Sequence, residues 1–190
     1  MGFTRAELES FRDVTVEDLI GDDPRLVFVG INPGLWTAAT QTHFAHPGNR
    51  FYPALLQAGI IDREVDRSAG FTAEDRRHLL ARGIAITNLV MRATVRASEL
   101  TPDELRMGGA LVRDKIARWN PQVVAFAGIT AFRQAYRQPR AGMGRQPERW
   151  GETDVWVVPN PSGLNAHETV ESLAGAYRDA AVAAGVVVTL

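Results

Sequence analysis

The feature that most constrains this chain is a rigid loop that directly follows an apolar run. Leu26–Val29 is entirely apolar, as expected of a buried parallel strand, and the five residues Gly30–Gly34 (GINPG) come next. The two glycines permit a tight turn, and the proline stiffens it. Because open α/β sheets bind ligands at the carboxyl ends of their strands, the loop predicts a site that Asn32 faces.

A second Asn–Pro loop has the same setting near the other end of the chain. Pro159–Asn165 (PNPSGLN) follows the apolar run Val155–Val158. Parallel strands present their carboxyl ends at one edge of the sheet. The two loops are therefore expected to form two walls of one site.

Apolar runs alternate with helix-like segments along the whole chain. Strands are predicted over 26–29, 84–90, 123–127 and 154–158, with a further one over 186–188, and helices over 50–58, 75–82, 101–119, 130–138 and 168–184. Such alternation is typical of a parallel sheet that helices cover on both sides. We predict a single α/β domain, residues 1–190, with three α/β/α layers and a mostly parallel sheet of four to five strands.

Two segments do not follow this alternation. Residues 1–24 mix charged and apolar positions and are expected to form an N-terminal approach segment with a short helix. Residues 139–153 contain three glycines and two prolines, which predicts an irregular excursion.

Composition excludes several classes of protein. Cysteine is absent from all 190 residues, which excludes disulfides, zinc–thiolate sites and cysteine-ligated iron–sulfur clusters. Apolar runs fall short of the ~18 residues of a membrane helix, and the first residues lack the apolar core of a secretory signal, so we expect a cytoplasmic protein. The net charge of −1 argues mildly against a strongly basic nucleic-acid binder, although a neutral protein can still present one basic face.

Four segments, taken in order, resemble the mismatch-specific uracil/thymine-DNA glycosylases, a branch of the uracil-DNA glycosylase superfamily. They are Gly30–Gly34, Phe44–Tyr52 (FAHPGNRFY), Ile86–Val90 (ITNLV) and Asn160–Leu164 (NPSGL). The similarity runs from about Arg25 to about Tyr177. It implies a monofunctional prokaryotic enzyme, associated with the nucleoid, that hydrolyses uracil from mispaired duplex DNA and leaves an abasic site for base excision repair. Thymine and other damaged pyrimidines are further substrates that it implies.

Hydrolysis of a base from its sugar needs a positioned water, a stabilised leaving base and access to a base that is otherwise stacked. The resemblance assigns the water to Asn32, which as an amide is a poor base and works by positioning. It assigns the pocket for the flipped base to six further residues: Ile31, Pro33, Gly34, Phe44, Asn88 and Asn160. Phe44 is expected to stack on the base and Asn88 to bind its polar edge.

The second loop supplies the candidates for contact with DNA. Leu164 is the predicted wedge that enters the stack where the base has left. Ser162, Gly163 and Asn165 flank it and can donate to phosphate or to the orphaned partner base. The chain departs here from its relatives, since Asn165–His167 (NAH) stands where an arginine is common. That departure leaves the preferred base opposite the lesion open.

Each of these residues also has a structural interpretation. Asn32 could bridge the backbone of its own loop, and Asn88 could form a turn after its strand. Phe44 could be a core aromatic, and Leu164 could pack on the core. Trp36 and Thr37 lie where small hydroxyl residues are usual, which leaves the width of the pocket open.

Neither a metal nor another cofactor is expected. His43 and His46 lie three apart in a loop without nearby carboxylates, which is weak evidence for a metal site. The only lysine, Lys115, lies in neither loop, so the sequence offers no Schiff-base nucleophile for a lyase step. The expected partner is double-stranded DNA that contains a mispaired or damaged base, bound by a monomer without a membrane.

Two other functions remain open at this point. A small nucleotide-binding α/β hydrolase could use Gly30–Gly34 to bind an anion, but this loop lacks the Gly-Lys-Ser/Thr and Gly-x-Gly patterns of nucleotide-binding proteins, and the chain has no Gly-x-Ser-x-Gly. A non-catalytic module that binds damaged DNA could share the fold. The presence of Asn32, Phe44 and Leu164 argues against this second alternative.

Overall fold

The computed structural model describes residues 2–189, which form one five-stranded sheet between helices. The strands are Leu26–Gly30 (β1), Ile84–Asn88 (β2), Val123–Ala127 (β3), Gly144–Trp150 (β4) and Thr153–Val158 (β5). The α-helices are Arg5–Glu9 (α1), Leu35–Thr40 (α2), Phe51–Gln57 (α3), Ala73–Ala81 (α4), Pro102–Trp119 (α5), Ile129–Tyr136 (α6) and Val170–Ala183 (α7), and Ala97–Glu99 forms a 3₁₀ turn.

The sheet is mostly parallel, as predicted. Its strand order is β2–β1–β3–β5–β4. The first four strands in this order run parallel, and β4 alone is antiparallel to its neighbour β5. The carboxyl ends of β2, β1, β3 and β5 therefore meet at one edge, and the loops that follow these strands lie there.

Alternate residues of the central strands enter two separate cores, which makes three layers. Phe28 of β1 packs with Phe51 and Tyr177 of α3 and α7 on one face of the sheet. Val29 of β1 belongs to the other core, which contains residues of α5 and α6. Because both faces are covered, every residue of β1, β2 and β3 is buried.

The predicted fifth strand is in the wrong place. Residues 186–188 form no strand, and the fifth strand is β4, which lies inside the predicted irregular excursion. β4 is an edge strand with only one neighbour, and its pairing with β5 is irregular between Arg145 and Arg149. Pro147 fits in this interruption, since a proline is tolerated at an edge or a bulge. Exposed polar residues there remove the apolar pattern that would have revealed a strand.

Helix prediction was more successful than loop prediction. The predicted start of α5 is confirmed, because Thr101 Oγ1 accepts a hydrogen bond from Glu104 N at 3.1 Å and Pro102 opens the helix. The loop expected after Gly34 contains α2, which the sequence did not indicate. Within residues 2–189, none of the helices has the length and apolar character needed to cross a membrane.

Candidate active site

The two Asn–Pro loops lie side by side at the carboxyl edge of the sheet. β3 lies between β1 and β5, and Gly128 follows it. A methyl group built on Gly128 would lie 3.5 Å from Ile31 Cδ1 in the first loop and 3.8 Å from Asn160 Nδ2 in the second. The structure therefore brings Ile31 and Asn160 to the same crevice.

Asn32 is half-buried, and three acceptors fix its amide nitrogen. Nδ2 lies 2.8 Å from Thr94 Oγ1, 3.1 Å from Arg92 O and 3.2 Å from Pro33 O. Carbonyl oxygens only accept hydrogen bonds, so the nitrogen of the amide must be the atom that faces them. The Thr94 hydroxyl donates its own proton to Arg96 O at 2.9 Å, which leaves it as an acceptor for Asn32.

This arrangement leaves the amide oxygen of Asn32 free. Oδ1 has no hydrogen-bond partner among residues 2–189, while every hydrogen bond of the side chain is made through Nδ2. An amide oxygen in a fixed orientation can accept a hydrogen bond from water, but it is a poor base. Asn32 is suited to holding a water molecule rather than to deprotonating it.

Two of the three acceptors of Asn32, Arg92 O and Thr94 Oγ1, lie on a segment after β2 that N-terminal residues support. Asp13 N donates to Ala93 O at 2.9 Å. The guanidinium of Arg92 lies 2.6 Å from Glu104 and 2.9 Å from Asp13. The hydrogen bonds from Arg92, above all, lower the pKa of Glu104 to about 2. The ion pair between Arg92 and Glu104 therefore stays charged at neutral pH and holds the backbone that carries the Arg92 carbonyl.

Phe44 and Asn88 converge on Gly30, the last residue of β1. A methyl group on Gly30 would lie 2.4 Å from Asn88 Oδ1 and 3.4 Å from the Phe44 ring, so the close approach requires glycine. Phe44 has a φ of +55°, and its ring stacks on Phe51 with centroids 4.1 Å apart. The Phe44 side chain is only half-buried, so it forms a supported wall rather than an enclosed part of the core.

Asn88 is buried beside a histidine. Its Nδ2 lies 3.3 Å from His43 Nδ1, and His43 Nε2 lies 2.8 Å from Glu17 O. His43 is only 3% exposed. Burial lowers its pKa to about 4, because a buried imidazolium would lose its hydration. His43 is therefore neutral at pH 7.

Acid is expected to destabilise the protein through His43. The pKa is about 4 in the folded chain and near 6.5 in an unfolded chain, so the unfolded chain binds the proton first as the pH falls. The stabilisation is complete above the unfolded value, and about 2 kcal/mol of it is lost between pH 7 and pH 5. The charged groups that act on His43 are Asp18, Arg76 and Lys115.

Urea unfolding of the wild type and of His43→Gln at both pH values measures this contribution. Burial also lowers the pKa of His78, but both proteins contain this residue. The difference between their losses of stability therefore isolates the contribution of His43. An equal loss of stability in both proteins would contradict the assignment.

Arg50 anchors the second loop to the segment that contains Phe44. Its guanidinium donates to Ser162 O at 2.6 Å, to Asn165 O at 2.7 Å and to Glu168 O. Its backbone N–H donates to Pro161 O at 3.0 Å. A guanidinium offers five N–H donors in a rigid plane, so one side chain can join three carbonyls.

The tip of the second loop is exposed although its backbone is held. A methyl group on Gly163 would lie 2.6 Å from Gly48 O, so the loop rests directly on the segment that precedes Arg50. Asn160 Oδ1 accepts a hydrogen bond from Ser162 N at 2.9 Å. Leu164 is 87% exposed, more than any other large apolar side chain in the described part of the chain. The structure thus presents Leu164 to solvent on a fixed loop.

Other residues of the prediction have more local roles. Pro33 is buried, and the exposed Gly34 is the N-cap residue of α2. His43 and His46 diverge, since His46 is exposed and its Nδ1 accepts from Gly48 N at 3.0 Å. No group of three or more histidine or acidic side chains in residues 2–189 is arranged to hold a metal ion.

Comparison with known proteins identifies the family. The family model of the Uracil DNA glycosylase superfamily matches residues 17–182, which include both loops. The chain belongs to this superfamily. The fold agrees with a solution NMR structure from Methanosarcina acetivorans, described as a "putative Uracil DNA glycosylase", at a TM-score of 0.59. The identity is 16%, and the match covers 88% of this chain and 96% of that one.

Membership of the Uracil DNA glycosylase superfamily makes DNA the substrate and the N-glycosidic bond the bond that is hydrolysed. The structure also shows contacts to the site from side chains that the sequence did not assign to it. Thr94 and Arg92 hold Asn32, His43 contacts Asn88, and Arg50 holds the second loop. Arg50 and His43 lie in or next to the resembling segment Phe44–Tyr52, but nothing in the sequence showed what they contact.

Arg50→Lys is expected to loosen the second Asn–Pro loop, Pro159–Asn165. A lysine ammonium is a single point charge, and it cannot reach the three carbonyls that the planar guanidinium joins. We expect the amides of residues 162–168 to exchange with deuterium at least about tenfold faster, because each lost hydrogen bond to a charged group removes roughly 1.5–3 kcal/mol. The rate of excision from duplex DNA should fall in the same variant.

Hydrogen exchange followed by mass spectrometry measures the effect of Arg50→Lys. Arg82→Lys is the matched control, because Arg82 also joins a carbonyl, Val187 O, and the Asp62 carboxylate at sites remote from both loops. Unchanged exchange over 162–168 in Arg50→Lys would show that the loop is held by other contacts.

Proposed function

We propose that the protein is a monofunctional DNA glycosylase that removes uracil from mispaired duplex DNA. The observation that carries the proposal is the fixed amide of Asn32, whose nitrogen faces three acceptors and whose oxygen is free. A superfamily member with this amide can hold the attacking water without a strong base.

The reaction replaces the base by water at the anomeric carbon of the sugar. The glycosidic C–N bond breaks, the oxygen of the water bound by Asn32 bonds to the anomeric carbon, and the base leaves as an anion that later takes a proton. Uracil suits this scheme, because hydrogen-bond donors can stabilise its anion without a strong general acid. The water loses a proton to solvent as its oxygen bonds to the oxocarbenium-like carbon, and the base anion takes up a proton from solvent.

The remaining residues of the crevice supply binding. In this proposal the Phe44 ring stacks on the flipped base and Asn88 binds the polar edge of that base. The stacking of Phe44 on Phe51 and the approach of both Phe44 and Asn88 to Gly30 support these roles. Leu164 is the apolar group available to fill the gap in the stack. Lys115 lies within α5, 2.7 Å from Asp18, and forms no Schiff base in this scheme, so the product is an abasic site.

A single-turnover excision assay tests the proposal. Duplexes that carry G·U, A·U, G·T, ethenocytosine opposite guanine, or hypoxanthine are incubated with excess enzyme, and abasic sites are cleaved with alkali. We expect faster cleavage of the G·U duplex than of the A·U duplex. The rates on thymine and on ethenocytosine report how wide the pocket is beside Trp36 and Thr37. Asn32→Ala prepared in parallel excludes a contaminating host glycosylase.

Lack of cleavage would favour a different function. If the enzyme leaves all five duplexes intact but binds an abasic duplex tightly, the protein is a non-catalytic module that recognises damaged DNA. If it neither cleaves nor binds, the proposed function is wrong.

A further inference from the structure

The buried contact between His43 and Asn88 fixes more than the position of the two side chains. His43 directly precedes Phe44, and its imidazole lies between the N-terminal segment and β2. Its Nε2 is 2.8 Å from Glu17 O and its Nδ1 is 3.3 Å from Asn88 Nδ2. Both ring nitrogens therefore have a partner.

The partners decide which ring nitrogen carries the proton. The Glu17 carbonyl only accepts, so His43 Nε2 must carry the proton and donate. In a neutral imidazole the other nitrogen, Nδ1, is then an acceptor. Asn88 must turn its NH₂ group toward Nδ1, because the opposite orientation of the amide would place two acceptors in contact.

The oxygen of Asn88 consequently faces the pocket. A methyl group on Gly30 would lie 2.4 Å from Oδ1 and 3.4 Å from the Phe44 ring, so the oxygen and the proposed stacking wall lie over the same backbone atom. Oδ1 has no hydrogen-bond partner among residues 2–189. It is free to accept from a ligand that stacks on Phe44.

The order of donor and acceptor in this amide is what distinguishes two pyrimidines. Uracil and thymine present an N3–H donor beside the O4 acceptor, whereas cytosine presents an N3 acceptor beside a donating amino group. An amide that rotates by 180° about its Cβ–Cγ bond complements either pattern. An amide with one fixed orientation complements only one of them.

We propose that His43 is a positioning residue that fixes the Asn88 amide with its oxygen toward the pocket, and that this orientation selects bases with an imide N–H, such as uracil, against cytosine. The selection of bases rests on the proposed function, whereas the orientation of the amide does not. His43 acts through Asn88 and does not touch the base.

A double-mutant cycle tests the selection. His43→Leu removes the acceptor, so single-turnover excision from G·U should fall at least about tenfold, and the ratio of uracil to cytosine excision in otherwise identical duplexes should fall with it. His43→Gln should retain activity within about threefold, because its oxygen can accept from Asn88 while its nitrogen donates to Glu17. In an Asn88→Ala background, His43→Leu should have almost no further effect.

Two results of the cycle would overturn the proposal. An equal loss from His43→Leu in the presence and absence of the Asn88 amide would show that His43 acts through packing alone. An unchanged ratio of uracil to cytosine excision in His43→Leu would show that the amide keeps its orientation without the histidine. Thermal unfolding of each variant verifies that the protein remains folded.

A second measurement is independent of catalysis. The chain has only four histidines, so ¹⁵N spectra of the imidazoles can be assigned with single substitutions. We expect His43 to be neutral at pH 7 with its proton on Nε2; a proton on Nδ1, or on both nitrogens, would overturn the fixed amide. If the wild type excises no base, the selection of bases fails with the proposed function, while the tautomer still decides the orientation.

Discussion

Asn32→Ala is expected to slow base excision from G·U by about 10²–10⁴-fold under single-turnover conditions, while binding to abasic duplex DNA changes little. The amide oxygen of Asn32 is a free acceptor, so its removal leaves the attacking water without a fixed position. Measurement of the excision rate and of the dissociation constant for an abasic duplex separates the two effects. An unchanged rate would remove Asn32 from the mechanism.

Asn32→Asp distinguishes positioning from proton abstraction. A carboxylate is the stronger base, but it has no N–H to donate to Thr94 Oγ1, Arg92 O and Pro33 O. Its carboxylate oxygens would be repelled by the two carbonyl oxygens. We therefore expect the aspartate side chain to move away from the position that the asparagine amide occupies, and the excision rate to fall. A faster aspartate variant would show that deprotonation of the water limits the reaction.

Leu164→Ala is expected to lower excision from duplex DNA by about 10–100-fold and excision from a single strand by less than about threefold. The gap left by a flipped base costs a few kcal/mol of lost stacking, and an apolar side chain recovers part of it. A single strand has no such stack to restore. Single-turnover rates on matched duplex and single-stranded substrates measure the difference.

Leu111→Ala is the matched control for Leu164→Ala. Leu111 is also exposed, at 60%, but it lies on α5 and outside both loops. It should change neither rate, because it removes the same number of carbon atoms from an exposed side chain that belongs to neither loop. Equal losses on duplex and single strand in Leu164→Ala would refute the role of a wedge.

The sequence predicted the parts of the site that the strands themselves position. β1 and β5 are apolar runs that end in rigid Asn–Pro loops, and parallel strands bring such loops to one edge. That local pattern suffices to bring the two loops together, with Ile31 and Asn160 both beside Gly128. The superfamily could be recognised from these loops together with Phe44–Tyr52 and Ile86–Val90.

The sequence could not predict contacts between segments that are distant in the chain. Arg50 is more than one hundred residues from the carbonyls that it joins, and nothing in either segment encodes the pairing. The same holds for Asn32 and Thr94, and for His43 and Asn88. The edge strand β4 was missed for a different reason, since its polar residues do not alternate with apolar ones.

The ion pair between Asp13 and Arg92 extends the working unit beyond the region that the superfamily pattern covers. The family match begins at residue 17, yet Asp13 contacts both the Arg92 side chain and the backbone of the next residue. Residues that add no strand to the sheet thus brace the carbonyl that orients Asn32. A chain cut at residue 17, where the family match begins, would lose Asp13 and with it part of the support for the Asn32 amide.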